Sequence, residues 1–289
     1  MADLRLMSVH AHADDETITM GGLLALCADR GIDTCNICCT DGKVATIVDP
    51  DMPEETTRPR LAEIREQELR DACRILGVSE VHFLRYGDSG MAGADTNELP
   101  DAFWKASLHE AAGRVVEHIR RFKPQVVVTY DANGAYGHPD HIQTHRATLL
   151  AVEAAHTAMY PEAGPPWRVQ KLYYTAFPVH AARRAIEMAK NAGMDPPFGA
   201  EDPKDLPFLT PDDWVTTTID CRSTVFRKRD ALRAHRSQIG PDWPMLAIPD
   251  EVATEFADEH FQLVISREPA SHPETDVFAG VRVEEAIPA

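Results

Sequence analysis

The chain has 289 residues, 44% of them apolar, so it can bury a large core without covalent staples. Its 46 acidic residues outnumber 29 lysines and arginines, and the formal charge of −17 argues against nucleic-acid or anionic-membrane partners. The N-terminus lacks a signal-peptide pattern, and no window of about 18 apolar residues occurs. These features predict a cytoplasmic protein.

Short apolar runs alternate with helical patterns through the first 150 residues. Strands are predicted at 4–9, 33–39, 81–84 and 125–130, and helices at 17–30, 57–76, 102–122 and 140–159. This order, with nearly unbroken apolar strands, predicts an α/β fold with a Rossmann-like, doubly wound and mostly parallel sheet. Ligands are expected beyond the carboxyl ends of its strands.

A Pro/Gly-rich segment near residue 160, YPEAGPPW, marks a predicted boundary. We expect residues 1–160 to form the core and residues 161–289 to form a smaller α/β portion that completes the site. The pattern there predicts a strand at 169–177, a helix at 179–192, irregular chain at 194–213, a strand at 214–219 and a helix at 222–238. The sequence after residue 238 is only weakly patterned.

The six cysteines are expected to be reduced core thiols. Cys35 and Cys38 form a C-x-x-C pattern, but they lie in a predicted strand, where side chains three residues apart point to opposite faces. A redox or metal site built from this pair is therefore disfavoured.

The segment VHAHADDE follows the first predicted strand. Helix capping could account for one or two of Asp14, Asp15 and Glu16, but not for His10 and His12, which share one face of the extended segment. A dinucleotide-binding loop would carry glycines here, and three carboxylates would repel a pyrophosphate. A Rossmann cofactor is therefore not expected.

The segment YGHPDH follows the fourth predicted strand, so both clusters lie at carboxyl ends of strands. Pro139 suits the first turn of a helix, which places His138, His141 and His145 near one face. Imidazoles with a carboxylate suit Zn²⁺ with one open position. The spacing leaves open whether His141 binds together with His145, or binds while His138 reaches into the cavity.

The segments HAHADDE and GHPDH, with DSGMAG at 88–93, LRAHRSQI at 232–239 and ETDVFAG at 274–280, resemble the LmbE-like, or GlcNAc-PI de-N-acetylase (PIG-L), family of zinc amide hydrolases. The resemblance is closest to its branch of mycothiol S-conjugate amidase and mycothiol-biosynthesis deacetylase. It extends over nearly the whole chain.

By position, the resemblance implies that His12, Asp15 and His141 bind one zinc ion. It further implies that Asp14 is the general base and that His138 stabilises the developing oxyanion. Another divalent transition metal could take the place of zinc.

The resemblance also implies that Tyr136 lines the site and that Arg65 and Asp88 contact the substrate sugar. Two positions depart from the family pattern. Ala13 stands where a proline is usual, and Lys43 follows Gly42 where a glutamate is usual, so a cation is expected to replace a substrate-facing anion.

Together these patterns predict a zinc-dependent amide hydrolase, a de-N-acetylase or thiol-conjugate amidase, whose substrate is a small molecule containing glucosamine. A metal-dependent phosphoester hydrolase and a non-catalytic metal-containing binding protein are the alternatives. Asp140 could orient a ligand imidazole or cap a helix, and His10 and His145 could lie just outside the ligand set. The sequence leaves open whether the protein forms a homo-oligomer.

Overall fold

The computed structural model describes residues 3–283, whose strands form one sheet in the order β3-β2-β1-β4-β5-β7-β6. The strands are β1 (Arg5–His10), β2 (Asp33–Thr40), β3 (Glu80–Tyr86), β4 (Val126–Thr129), β5 (Lys171–Ala176), β6 (Thr217–Ile219) and β7 (Glu259–Ser266). The first five are parallel, and β7 runs antiparallel to both of its neighbours, β5 and β6. The predicted Rossmann-like α/β class is confirmed.

Helices cover both faces of this sheet. They are α1 (Asp15–Asp29), α2 (Glu54–Thr57), α3 (Leu61–Leu76), α4 (Leu108–Phe122), α5 (Gly134–Gly137), α6 (Pro139–Ala154), α7 (Val179–Ala192), α8 (Val225–Ala234), α9 (Pro244–Ala247) and α10 (Asp250–Glu255). Among residues 3–283, no helix has the length and apolar character needed to cross a bilayer.

The central strand β1 is buried on both faces, which explains its unbroken apolar run. Leu6 packs in the core beneath α1, whereas the next residue, Met7, packs in the core beneath α4 and α6. β4 alternates in the same way, with Val126 on the first side and Val127 on the second.

The sheet order reverses between β1 and β4. From β1 the chain proceeds to β2 and β3 on one side, whereas β4 and β5 lie on the other. The carboxyl ends of β1 and β4 are adjacent, with Ser8 paired to Val128. This switch point is where a doubly wound sheet opens a crevice for ligands.

Two predicted helix starts are wrong. The helix predicted at 102–122 begins at Leu108, because Ser107 caps it by accepting the N–H of Glu110, and 103–105 forms a separate 3-10 turn. The helix predicted at 57–76 begins at Leu61, because a 3-10 turn containing Pro59 precedes it.

The sequence pattern missed β7, which supplies a buried carboxylate to α1. Helix α1 is kinked at Met20 (φ −148°). The side chain of Glu259 accepts the backbone N–H groups of Gly22 and Leu23 at 2.7 and 2.8 Å, just past the kink. Lys228 pairs with the same carboxylate at 2.7 Å. Glu259 therefore caps the second half of α1 from within the sheet.

The sheet continues past the predicted boundary near residue 160, because β5 pairs directly with β4. The segment 194–213 contains 3-10 turns and no strand, which agrees with the predicted irregular chain.

All six cysteines are free and buried. Cys35 and Cys38 lie on β2, as the strand assignment required.

Candidate active site

Three predicted metal ligands meet at the carboxyl ends of β1 and β4. Nδ1 of His12 lies 3.1 Å from Nε2 of His141, and Oδ2 of Asp15 lies 3.5 Å from the first and 3.6 Å from the second. All three residues are buried. Ligand atoms bound to one tetrahedral ion at about 2.0–2.2 Å lie about 3.3–3.6 Å apart, so the triangle fits one such ion.

Other ligand-type atoms lie close by. Ring nitrogens of His12, His138 and His141 lie within 4.8 Å of one another, and so do ligand atoms of His12, His138, Asp88 and Asp140. We favour the set with Asp15, because all three of its edges are near the tetrahedral spacing.

Tyr130, the residue after β4, holds two of the favoured ligands in place. Its hydroxyl donates to Oδ2 of Asp15 at 2.6 Å and accepts the N–H of Ala11 at 2.8 Å. Its ring stacks on His141, with centroids 4.2 Å apart and planes at 17°. The backbone N–H of His12 also donates to Oδ2 of Asp15, at 2.9 Å. The carboxylate and one imidazole are thus preorganised.

Two carboxylates face the other nitrogen of His12. Oδ2 of Asp140 lies 3.4 Å from Nε2 of His12, and Oδ1 of Asp88 lies 3.7 Å away. Asp140 is fixed by the N–H of Ser89 at 2.9 Å. A carboxylate at Nε2 keeps the ring proton there and leaves the Nδ1 lone pair for a metal. Asp140 therefore orients His12 and not the neighbouring His141.

Asp14 adopts an unusual backbone conformation at the start of α1, with φ 130° and ψ −32°. Non-glycine residues rarely adopt such a positive φ, and they do so mostly where surrounding contacts enforce it. Arg65 is one such contact, because it donates to the carbonyl of Ala13 at 2.8 Å and lies 3.4 Å from Oδ2 of Asp14. The NH1 group of Arg65 donates to the carbonyl of Gly42 at 3.0 Å.

His138 caps helix α6 with its own side chain. Its Nδ1 accepts the N–H of Asp140 at 3.1 Å, so in the neutral ring the proton lies on Nε2. The preceding loop is tight, because a Cβ on Gly134 (φ +60°) would lie 2.6 Å from Cβ of His141. Tyr136 follows, 39% exposed, with its ring centroid 5.1 Å from that of His141.

One cavity of about 580 Å³ contains every predicted site residue. Its polar floor is formed by the residues already described: His12, Asp14, Asp15, Arg65, Asp88, Tyr136, His138 and His141. Its opposite wall includes apolar side chains from the second half of the chain: Phe177, Phe198, Phe208 and Trp243. The predicted site residues therefore lie together in one space.

Burial and charge set the protonation states at the floor. Burial raises the pKa of Asp14 to about 7, although the Arg65 guanidinium opposes this shift. Burial lowers the pKa of His141 to about 4 and that of His138 to about 3, which favours neutral imidazoles. Burial disfavours a charge on Asp15, but His141 and His12 hold its pKa well below the usual range.

The structure places His145, His10 and Lys43 outside the cavity lining. His145 Nδ1 lies 3.0 Å from the carbonyl of Tyr130, outside the cavity lining, so His138 and not His145 accompanies His141. His10 is buried beside Thr19, with its Nε2 3.3 Å from the hydroxyl. Lys43 also lies outside the lining, and its ammonium pairs with Asp101 at 2.8 Å. The expected substrate-facing cation is therefore wrong.

The sequence that builds this site is similar to those of known proteins. Residues 7–152 match the model of the family described as GlcNAc-PI de-N-acetylase, PIG-L. The chain belongs to the PIG-L family. A 1D-myo-inositol 2-acetamido-2-deoxy-alpha-D-glucopyranoside deacetylase 1 of Catenulispora acidiphila is 42% identical over 99% of this chain and 92% of its own. The corresponding deacetylase of Geodermatophilus obscurus is 41% identical over 96% of this chain and 98% of its own.

A solved structure is similar at the level of the fold. N,N'-diacetylchitobiose deacetylase from Pyrococcus horikoshii matches with a TM-score of 0.62 and 20% identity, over 91% of this chain and 84% of that one. The predicted PIG-L membership is confirmed, and the match over nearly the full chain includes the C-terminal wall of the cavity.

Proposed function

We propose that this protein is a metal-dependent de-N-acetylase, a hydrolase of a non-peptide amide bond, whose substrate is an N-acetylglucosamine linked to inositol. The observation that carries the proposal is the triangle of His12, Asp15 and His141, open to the same cavity as Asp14 and His138. The substrate class is supported by relatives above 40% identity that are named for a glucosaminyl-inositol substrate.

The donor set suits Zn²⁺, because two imidazoles and one carboxylate are borderline ligands and a fourth position faces the cavity. A divalent cation held there supplies Lewis acidity, which polarises a carbonyl and lowers the pKa of water. We propose one such ion per chain, with zinc as the native metal.

Asp14 is proposed as the general base. Asp14 is next to the proposed ligand Asp15 in sequence. The backbone at Asp14 has a positive φ, and its side chain lines the cavity. Arg65 holds the loop and the carboxylate, so the position of Oδ2 is defined when a water proton is to be taken up. The same carboxyl can then pass that proton to the leaving amine.

His138 is proposed as the oxyanion donor. Because its Nδ1 is engaged by the N–H of Asp140, its Nε2–H is free to point at the cavity in the neutral ring. A neutral donor stabilises the negative charge that develops on a carbonyl oxygen during attack. This role needs no change in the protonation state of His138.

Direct sugar contacts are proposed for Asp88 and Tyr136, and an indirect contribution to substrate binding is proposed for Arg65. Asp88 lines the cavity beside His12 and Tyr136 lines it beside His141, and a sugar hydroxyl could hydrogen-bond with either of them. Arg65 is buried, and the hydrogen bonds of its NH1 and NH2 groups go to the protein, so we propose that it acts on the substrate mainly through the Asp14 loop.

We propose a division of labour along the chain. Residues 1–160 carry the metal and the proton-transfer groups, and residues 161–289 carry the apolar wall that selects the substrate. We also propose a cytoplasmic location, because six free buried cysteines are typical of a reducing compartment.

The direct test is the Asp14→Asn variant assayed on 1D-myo-inositol 2-acetamido-2-deoxy-α-D-glucopyranoside. It should retain its metal while turnover falls by about 10²–10⁴, the usual contribution of a positioned acid or base. Glu63→Gln, at a surface carboxylate with 77% exposure, is the matched control and should keep full turnover. Normal acetate release by Asp14→Asn would refute the assignment.

A further inference from the structure

A second group of metal-type ligands lies away from the active site, near the amino ends of β2 and β3. Sγ of Cys35, a carboxylate oxygen of Glu80 and a ring nitrogen of His82 lie within 4.8 Å of one another. Cys35 is fully buried and pairs with Glu80 in the parallel ladder. His118, on α4, stacks on His82 with centroids 4.6 Å apart.

Three of these groups converge on one guanidinium nitrogen. The NH2 atom of Arg121 lies 2.7 Å from Nε2 of His82, 3.0 Å from Nδ1 of His118 and 3.3 Å from Oε2 of Glu80. Two imidazole nitrogens and a carboxylate oxygen therefore already surround a positive centre. The Arg121 side chain is 50% exposed, so it can leave this position for solvent.

The hydrogen bonds in this cluster are in conflict. Nε2 of His82 lies 2.8 Å from Oε2 of Glu80, which requires a proton on that nitrogen. The same nitrogen lies 2.7 Å from NH2 of Arg121, which requires a lone pair there. One nitrogen cannot satisfy both partners, whereas a metal ion accepts lone pairs from both rings and from the carboxylate.

We propose that Cys35, Glu80, His82 and His118 form a second site for a borderline divalent transition metal such as Zn²⁺, which takes the place of Arg121. Four protein ligands would close the coordination sphere, as they do in structural zinc sites. On binding, the thiol of Cys35 releases its proton to solvent and the thiolate coordinates the ion. The ion would join β2, β3 and α4.

This site differs from the C-x-x-C pair that the sequence disfavoured. Cys38 lies on the opposite side of β2, where it packs with Leu69 and Cys73 of α3. Cys35 instead faces the core beneath α4 and lies within ligand distance of Glu80 and His82 on β3, while His118 on α4 stacks on His82. The proposed ligands come from three separate segments of the chain, so no local sequence motif indicates the site.

The test is the zinc stoichiometry of the full-length protein by equilibrium dialysis. The double variant His82→Ala/His118→Ala should bind one zinc fewer than wild type at saturation and keep its deacetylase activity. The control His180→Ala, at a surface histidine with 56% side-chain exposure, should bind as wild type does. Equal stoichiometry in wild type and the double variant would overturn the proposal.

Arg121→Ala gives a result that a purely structural cluster would not. Removing the competing cation should tighten zinc binding at this site on the order of tenfold, because like charges at close range repel. Unchanged or weaker binding in Arg121→Ala would contradict the displacement. Asp15→Asn distinguishes the two sites, because this variant should lose the active-site ion and keep the ion of the second site. If Asp15→Asn kept the active-site ion, the result would count against the proposed function and not against the second site.

Discussion

The two halves of the cavity are built differently. The floor comes from the ends of β1 and β4, where buried polar groups hold one another in fixed positions, as Tyr130 holds Asp15 and Asp140 orients His12. The opposite wall comes from Phe177, from the irregular segment after α7 and from Trp243, where aromatic rings contact edge to face. A rigid floor suits chemistry, and an adaptable wall suits the selection of substrates.

This contrast makes a kinetic prediction. Changes in the floor should lower kcat with little effect on KM, whereas changes in the wall should raise KM with little effect on kcat.

After Asp14→Asn, the largest effect is expected at His138. His138→Asn keeps a side chain that can cap α6 but removes the imidazole donor, so kcat should fall by about 10²–10³ with little change in stability. Steady-state kinetics and thermal unfolding measure the two quantities. His156→Ala is the control, since His156 contacts Arg267 outside the cavity lining. Wild-type kcat in His138→Asn would remove this residue from the mechanism.

A smaller effect is expected at Tyr130. Tyr130→Phe keeps the ring that stacks on His141 but loses the hydroxyl that donates to Asp15. Metal affinity should fall by about 10–100-fold, as is usual when a group orienting a ligand is removed. Competition with a chelator measures it, with Tyr174→Phe as the control. An unchanged affinity would mean that the floor is less preorganised than its hydrogen bonds suggest.

The smallest effect is expected in the wall. Trp243→Ala should raise KM by about 10-fold, the size of one lost apolar contact, and leave kcat near wild type. Trp214→Ala is the matched control, because Trp214 is 55% exposed and lies outside the cavity lining. A fall in kcat without a change in KM would erase the contrast between floor and wall.

The floor could be predicted from sequence because its residues cluster at strand ends. His12, Asp14 and Asp15 directly follow β1, and His138 and His141 follow β4 within a dozen residues. A parallel sheet brings such ends together whatever the loops do. Periodicity and strand-end position therefore predicted where the site lies, whereas the ligand set and the role of each residue came from the resemblance to the PIG-L family.

The wall and the supporting contacts could not be predicted in the same way. The sequence pattern predicted Tyr130 only as the last residue of a strand. The contact of Tyr130 with Asp15 joins positions 115 residues apart, so local periodicity does not reveal it. Asp140 reaches His12 and not its neighbour His141, which depends on side-chain direction in the folded chain. β7 was missed because five of its eight residues are only partly buried and it begins with Glu259 and His260.

The most direct test of the account is a zinc titration of metal-depleted His82→Ala/His118→Ala protein, in which the proposed second site is absent. Deacetylase turnover should start near zero, rise linearly with added Zn²⁺ and reach a plateau at one equivalent. His141→Ala in the same background should stay inactive throughout. Full turnover of the metal-depleted protein would contradict the claim that His12, Asp15 and His141 hold the ion on which the chemistry depends.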